Sequence, residues 1–207
     1  MFSVTLRHIP LIWNRYEGEY YRQRTWDRKA WKLYFSRKSE FIAIYGRRRV
    51  GKTFLVKELF ENQFAFRVTG KDNVTTKEQL ASFSFALNDQ LGIDTDATNW
   101  SEAFRLLQKA LEKMPNGTKI IFFDELPWFD TYASNFISAL EHFWNDWASY
   151  RSDIKLIACG SATTWMLNHV INSRGGLHNR ITHNILLSPS NCMRLKSILN
   201  RKVSIMK

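Results

Sequence analysis

Eight residues constrain this chain more than any others. Residues 46–53 read G-R-R-R-V-G-K-T, a complete match to the spacing G-x4-G-K-[ST]. Their flanks give the match its meaning. The apolar run 41–45 predicts a short strand, and "KTFLVKELFEN" has helical spacing. Strand, glycine loop and helix in that order build a phosphate cradle. Gly46 and Gly51 let the backbone curl until several N–H groups face one set of oxygens, and the following helix adds its positive N-terminal end. Lys52 brings a mobile charge to the outer phosphates, and the Thr53 hydroxyl is placed to ligate Mg²⁺. The expected nucleotide-binding set is therefore Gly46, Arg47, Arg48, Arg49, Val50, Gly51, Lys52, Thr53 and Phe54. The three arginines have no required role in the pattern. Exposure is the preferred reading for them, and contact with phosphate or a neighbouring subunit is the other.

Short apolar runs alternate with longer amphipathic stretches, the pattern of βα units on a mostly parallel sheet. Residues 64–69 predict a second strand. "TTKEQLASFSFALNDQLG" and "SEAFRLLQKALEKM" predict two helices, the second capped by Ser101. "KIIFFDELPWFD" is a strand running into acids, and "TYASNFISALEHFWNDWASY" a helix whose aromatics pack the core. "DIKLIACGS" predicts another strand, "ATTWMLNHVINS" another helix, and "RGGLHNRITHNILLSP" a glycine-bearing loop into a last strand. No internal repeat interrupts this order.

The acids close the chemical argument. A cradle needs a strand-end carboxylate for Mg²⁺ and a group that orients water. Asp124 fits the first role and Glu125, pointing the other way, the second. A D-E pair also marks phosphate-loop NTPases with an extra strand between the loop strand and the Asp strand. That strand should follow in sequence and end in a polar residue near the γ-phosphate. "KLIACGSATT" supplies it, with Ser161 either sensing phosphate or capping the next helix. No N-K-x-D segment reads guanine, which leaves ATP as the expected nucleotide.

Charge adds a partner question. Residues 1–50 hold 12 Lys+Arg against 4 Asp+Glu, residues 51–173 hold 11 against 15, and residues 174–207 hold 7 against none. Basic ends around an acidic middle suit nucleic acid, a solvated tail or an acidic partner surface. Cys159 and Cys192 form neither a disulfide framework nor a metal-ligand spacing. No apolar run approaches membrane-span length, and "MFSVTLRHIPLIWNRYEG" lacks signal-peptide features, so a cytoplasmic protein without membrane contact is expected.

Together, "SEFIAIYGRRRVGKTFLVKELF", "IIFFDELPWF", "KLIACGSATTWM" and "GGLHNRITHNILLSP" resemble the archaeal-type ATPase family, AAA-like phosphate-loop ATPases of the additional-strand class. The resemblance covers roughly residues 37–189. It implies a three-layer α/β/α fold with a five-stranded sheet in the order 5-1-4-3-2, ATP with Mg²⁺, and catalytic roles for Lys52, Glu125 and Ser161. It also implies an arginine near the last strand that reaches the γ-phosphate of its own or a neighbouring subunit. Arg180 is the best positional match and Arg174 the second. The family's N-R-E-like box is not recognisable in "RTWDRKAWKLYFSRKSE", and the expectation is that its lid, winged-helix-like and nuclease-like parts are absent after "NCMRLKSILNRKVSIMK". The expected organisation is a basic flank 1–36, an ATPase domain 37–190 and a basic tail 191–207.

The leading expectation is a Mg²⁺-dependent ATPase coupled to a conformational or assembly change, as a homo-oligomer or on nucleic acid. A nucleotide-gated module that scarcely hydrolyses, and a DNA-binding protein in which ATP is secondary, are the alternatives. A small-molecule kinase is disfavoured because the D-E pair suits water activation.

Overall fold

The computed structural model describes residues 36–60, 63–172 and 175–188. The flank before Ser36, the tail 191–207, Arg174 and Cys192 lie outside the described residues.

The order of elements is β1 (Glu40–Tyr45), α1 (Lys52–Leu59), β2 (Phe66–Thr69), α2 (Thr76–Leu91), α3 (Trp100–Lys113), β3 (Lys119–Asp124), α4 (Phe136–Asp146), β4 (Ile154–Gly160), α5 (Thr163–Met166) and β5 (His183–Leu186). A 3₁₀ turn, Leu126–Phe129, follows β3, and a π-helical turn, Leu167–Ile171, extends α5. The five strands pair in the order β2-β3-β4-β1-β5, and every pairing is parallel. Read from the other edge this is 5-1-4-3-2, the expected order. β3 and β4 are buried along their whole length, as central parallel strands covered on both faces must be.

The two faces differ. Phe41, Ala43, Phe66, Val68, Ile121, Phe123, Leu156 and Ala158 point into one large core shared with α2, α3 and α4. The alternate strand residues Ile42, Ile44, Phe122 and Ile157 are buried on the opposite side, with Leu55, Val56 and Phe60 of the α1 segment. Such alternation follows from the two-residue period of a strand. The larger core is aromatic. Phe83 meets Phe66, Trp100, Phe104 and Phe123 at centroid distances of 5.1, 5.6, 5.9 and 6.2 Å.

Local chemistry sets the helix ends. At α2, Thr75 and Glu78 form a reciprocal capping box, and Gly92 at φ 66° closes the far end. α3 begins one residue before Ser101: Trp100 is its first residue and Asn99 its cap, accepting from the Glu102 N–H at 2.9 Å. The expected cap was thus two residues late, because asparagine serves as well as serine there. The stretch predicted as one helix from 131 to 150 is interrupted. Ala133 and Asn135 are left-handed, α4 starts only at Phe136, and Ala148–Tyr150 forms a separate 3₁₀ turn.

Phe83 is fully buried at the centre of the aromatic contacts. Phe83→Ala should therefore lower unfolding stability by about 3–5 kcal/mol, the usual cost of an aromatic cavity. Urea unfolding of wild type and variant measures this, and a loss below about 1 kcal/mol would mean the core collapses around the gap.

Candidate phosphate-binding and magnesium site

The carboxyl ends of β1, β3 and β4 bring the expected residues together. Leu187 donates its N–H to the Tyr45 carbonyl at 2.8 Å, so β5 stays paired with β1 up to the loop. A Cβ on Gly46 would stand 2.2 Å from the Leu187 carbonyl oxygen, and Gly46 has φ 146°. Only glycine fits where the loop leaves the sheet. Gly51 at φ 86° makes the second bend and stands as the N-cap of α1.

The buried Lys52 ammonium donates to the Gly46 and Arg47 carbonyls at 3.0 and 2.9 Å. It thus lies folded across the loop it would serve. The Thr53 hydroxyl donates to Asp124 at 2.8 Å, tying the first turn of α1 to the end of β3. Burial pushes the Asp124 carboxyl above its ordinary range. The Thr53 bond pulls it back, and the neighbouring Glu125 charge raises it further. A bound cation would reverse that balance. Among the described residues no three His, Cys, Asp or Glu side chains cluster as a metal cage. The chemistry of this donor set fits Mg²⁺ held by one hydroxyl and one carboxylate alongside nucleotide phosphates.

Glu125 leaves the strand in a left-handed conformation, φ 48° and ψ 50°. Its carboxylate accepts from the Ser161 hydroxyl at 2.8 Å and the Ser161 N–H at 3.1 Å. Ser161 is not the cap of α5. That position is Ala162, without a side-chain bond. Both residues expected near the γ-phosphate are thus joined to each other.

Val50 is buried beneath the loop, Phe54 is half-exposed, and Arg47, Arg48 and Arg49 face solvent. Arg49 is left-handed at φ 63°. Arg48 does more than the motif requires. It lies 3.5 Å from Asp72 and 5.6 Å over the Trp128 ring. Trp128 therefore has a partner that the sequence did not disclose. A buried glutamine holds this arrangement: Gln79 donates to the Lys71 and Trp128 carbonyls, both at 2.7 Å, and accepts from the Lys71 N–H at 3.2 Å. Its signal was available as a polar residue on the α2 stripe formed by Leu80, Phe83 and Leu87. Cys159, at the matching level of β4, is buried beside Asp124, and its thiol is pushed well up by burial.

Arg180 stands apart. It is exposed and three residues ahead of β5, whose start is fixed by Thr182 donating to the Phe41 carbonyl at 2.9 Å. That is the amino end of the sheet. The phosphate loop leaves the carboxyl end four residues farther along β1, about 13 Å away at strand rise. This register sets the Arg180 backbone at the end of the sheet away from its own loop.

A family model described as an AAA domain matches residues 38–189. The chain belongs to this AAA domain family. Its fold is that of a Walker-type ATPase of Pyrococcus abyssi (TM-score 0.55, 17% identity, 87% of this chain and 58% of that one). It is also that of the Aeropyrum pernix ORC1 protein, solved in complex with DNA (TM-score 0.58, 13% identity, 88% and 48%). Cdc6p of Pyrobaculum aerophilum is similar too (TM-score 0.54, 16% identity, 88% and 48%). In sequence, an uncharacterized protein of Methanocaldococcus jannaschii is 28% identical over 167 residues, 79% of this chain. The chain spans only 34% of that relative's length. No helix among the described residues of this AAA domain is long and apolar enough to cross a membrane.

The fit of the loop beneath Leu187 gives a direct test. Gly46→Ala should cost more than about 2 kcal/mol and remove the rise in melting temperature caused by Mg²⁺-ATP. Gly92→Ala, with open space around its Cβ, should cost about 1 kcal/mol and keep that rise. Equal behaviour of the two variants in thermal melts would show that the close approach does not matter.

Proposed function

We propose that this AAA-type ATPase domain binds ATP with Mg²⁺ on residues 46–54 and hydrolyses it, using the binding and release of the γ-phosphate to change conformation or assembly. The observation that carries the reading is the Thr53–Asp124 hydrogen bond at 2.8 Å beside the Lys52-bearing loop. Thr53, Asp124 and Lys52, the side chains this reading assigns to Mg²⁺ and phosphate, stand close together there at the end of a buried sheet.

Each residue then has a role. Lys52 exchanges its two loop carbonyls for phosphate oxygens, and the loop N–H groups hold the remaining ones. Thr53 and Asp124, now bonded to each other, would hold the cation, which when bound would neutralise charge on the outer phosphates. Glu125 accepts a proton from the attacking water, and Ser161 holds Glu125 until a phosphate oxygen competes for the Ser161 hydroxyl and N–H. Arg180 serves the site of a neighbouring copy, because its backbone stands at the amino end of the sheet, away from its own loop. Hydrolysis completed in that way depends on assembly.

A second reading rests on Glu125 itself. Two hydrogen bonds from Ser161 occupy one of its carboxylate oxygens. A site that keeps this arrangement with ATP bound is a nucleotide-gated module with little turnover.

Phosphate release with Mg²⁺-ATP across protein concentrations separates the readings. The expected result is a rate per molecule that climbs with concentration and falls about 100-fold or more in Glu125→Gln. Arg180→Ala should lose a similar factor or more, and Lys52→Ala should lose both turnover and ATP-induced stabilisation. ATP-induced stabilisation without turnover at any concentration would favour the gated module. Turnover that survives Glu125→Gln would overturn the assignment of the base.

A further inference from the structure

Next to the candidate magnesium site lies a cleft of about 690 Å³, and apart from Thr53 and Asp124 its lining has no part in the nucleotide reading. Thr53 and Asp124 line one part of it, and the rest is lined by residues of α1, β2 and its following turn, β3 and α2. Lys57, Arg67 and Lys71 line it, as do Phe122 and Phe85. Among the described residues none of the three cations forms an ion pair. The acid Glu78, which also lines the cleft, accepts from the Thr75 N–H at 2.8 Å and hydroxyl at 2.7 Å and feels the Lys71 charge without forming an ion pair with it. Phe85 is 73% exposed. Single exposed aromatics are ordinary, and Tyr132 and Tyr150 are more exposed still; what sets Phe85 apart is that it lines the same cleft as three cations.

We propose that this cleft binds single-stranded nucleic acid, with backbone phosphates along Lys57, Arg67 and Lys71 and a base stacked on Phe85. A positively charged groove combined with an exposed aromatic face is the chemistry that holds single strands without reading sequence. The spacing favours a chain over a small anion. Lys57 comes from α1, Arg67 from β2 and Lys71 from two residues past the end of β2, so the three cations are set out along the cleft on separate elements. The edge of β2 argues against an acidic peptide added as a further strand. The Gln90 side-chain amide already occupies both the Arg67 N–H and its carbonyl at 2.8 Å, leaving that backbone no free pair to offer. Because Thr53 and Asp124 line part of the cleft, a strand lying in it would feel whether the nucleotide site is filled. In this respect the inference deepens the proposed function and rests on it.

Fluorescence anisotropy of a labelled oligothymidine against the full chain tests the site. The Arg67→Glu/Lys71→Glu double variant should bind at least 10-fold more weakly than wild type. Its salt slope should be shallower by about 1.4, because two phosphates are no longer neutralised. Lys109→Glu/Lys113→Glu on α3 carries the same change of charge and should stay within about 2-fold. Phe85→Ala should lose about 5-fold or more, and folding is not at risk at so exposed a position. The melting shift caused by Mg²⁺-ATP should persist in all three variants, so a failed nucleotide reading would be seen separately. Oligothymidine binding that all variants retain, or that wild type lacks, would overturn the proposal. So would displacement of the oligonucleotide by inorganic phosphate or polyglutamate at comparable charge concentration.

Discussion

Asp124 is a carboxylate held almost out of water at the end of a strand buried on both faces, and two donors, the Glu125 N–H at 3.1 Å and the Thr53 hydroxyl at 2.8 Å, make that position tolerable. Without a donor, such a group costs several kcal/mol or takes up a proton. Through the Thr53 bond, the first turn of α1 is locked to β3, across the intervening strand β4 from the strand that launches the loop. The remaining geometry of the site depends on this join. The loop must leave β1 in a conformation that delivers Thr53 to Asp124, and the Leu187 carbonyl above Gly46 leaves little freedom in how it does so.

A second set of contacts ties the same loop to the far edge of the sheet. Arg48 spans from the phosphate loop to Asp72 and the face of Trp128. Gln79, fully buried, binds the carbonyls of both Lys71 and Trp128. The turn after β2, the 3₁₀ turn after β3 and the phosphate loop are thereby joined through one glutamine and one arginine. A buried amide whose donors and acceptor are all used specifies a single arrangement better than an apolar residue could. Movement of the loop on binding phosphate has a physical route to the β2 edge.

Much of this was legible in the sequence, because the strongest signals are local. Uniformly apolar runs gave the central strands, and the fixed spacing of 46–53 gave the cradle. The run "IIFFDE" gave the acid that Thr53 meets. What escaped were features set by distant partners or by competing local geometry. The interruption before α4 lies in left-handed Ala133 and Asn135, whose neighbours retain helical spacing. Ser161 read as the phosphate sensor, with a helix cap as the alternative, and its bond to Glu125 was not visible in the sequence. Trp128 had no role until Arg48 was found against it, a contact spanning eighty residues of chain. The family resemblance supplied the strand order, which periodicity alone does not determine.

The central claim is that residues 46–53 take the phosphates of ATP and that Thr53 and Asp124 take the accompanying cation. Isothermal titration of ATP into the protein, with Mg²⁺ and then with a chelator, tests it most directly. ATP should bind wild type and lose about 10-fold or more in affinity without Mg²⁺, a difference that Asp124→Asn should largely erase, while Lys52→Ala should abolish binding. ATP binding of undiminished affinity in Lys52→Ala would contradict the claim and place the nucleotide elsewhere on the molecule.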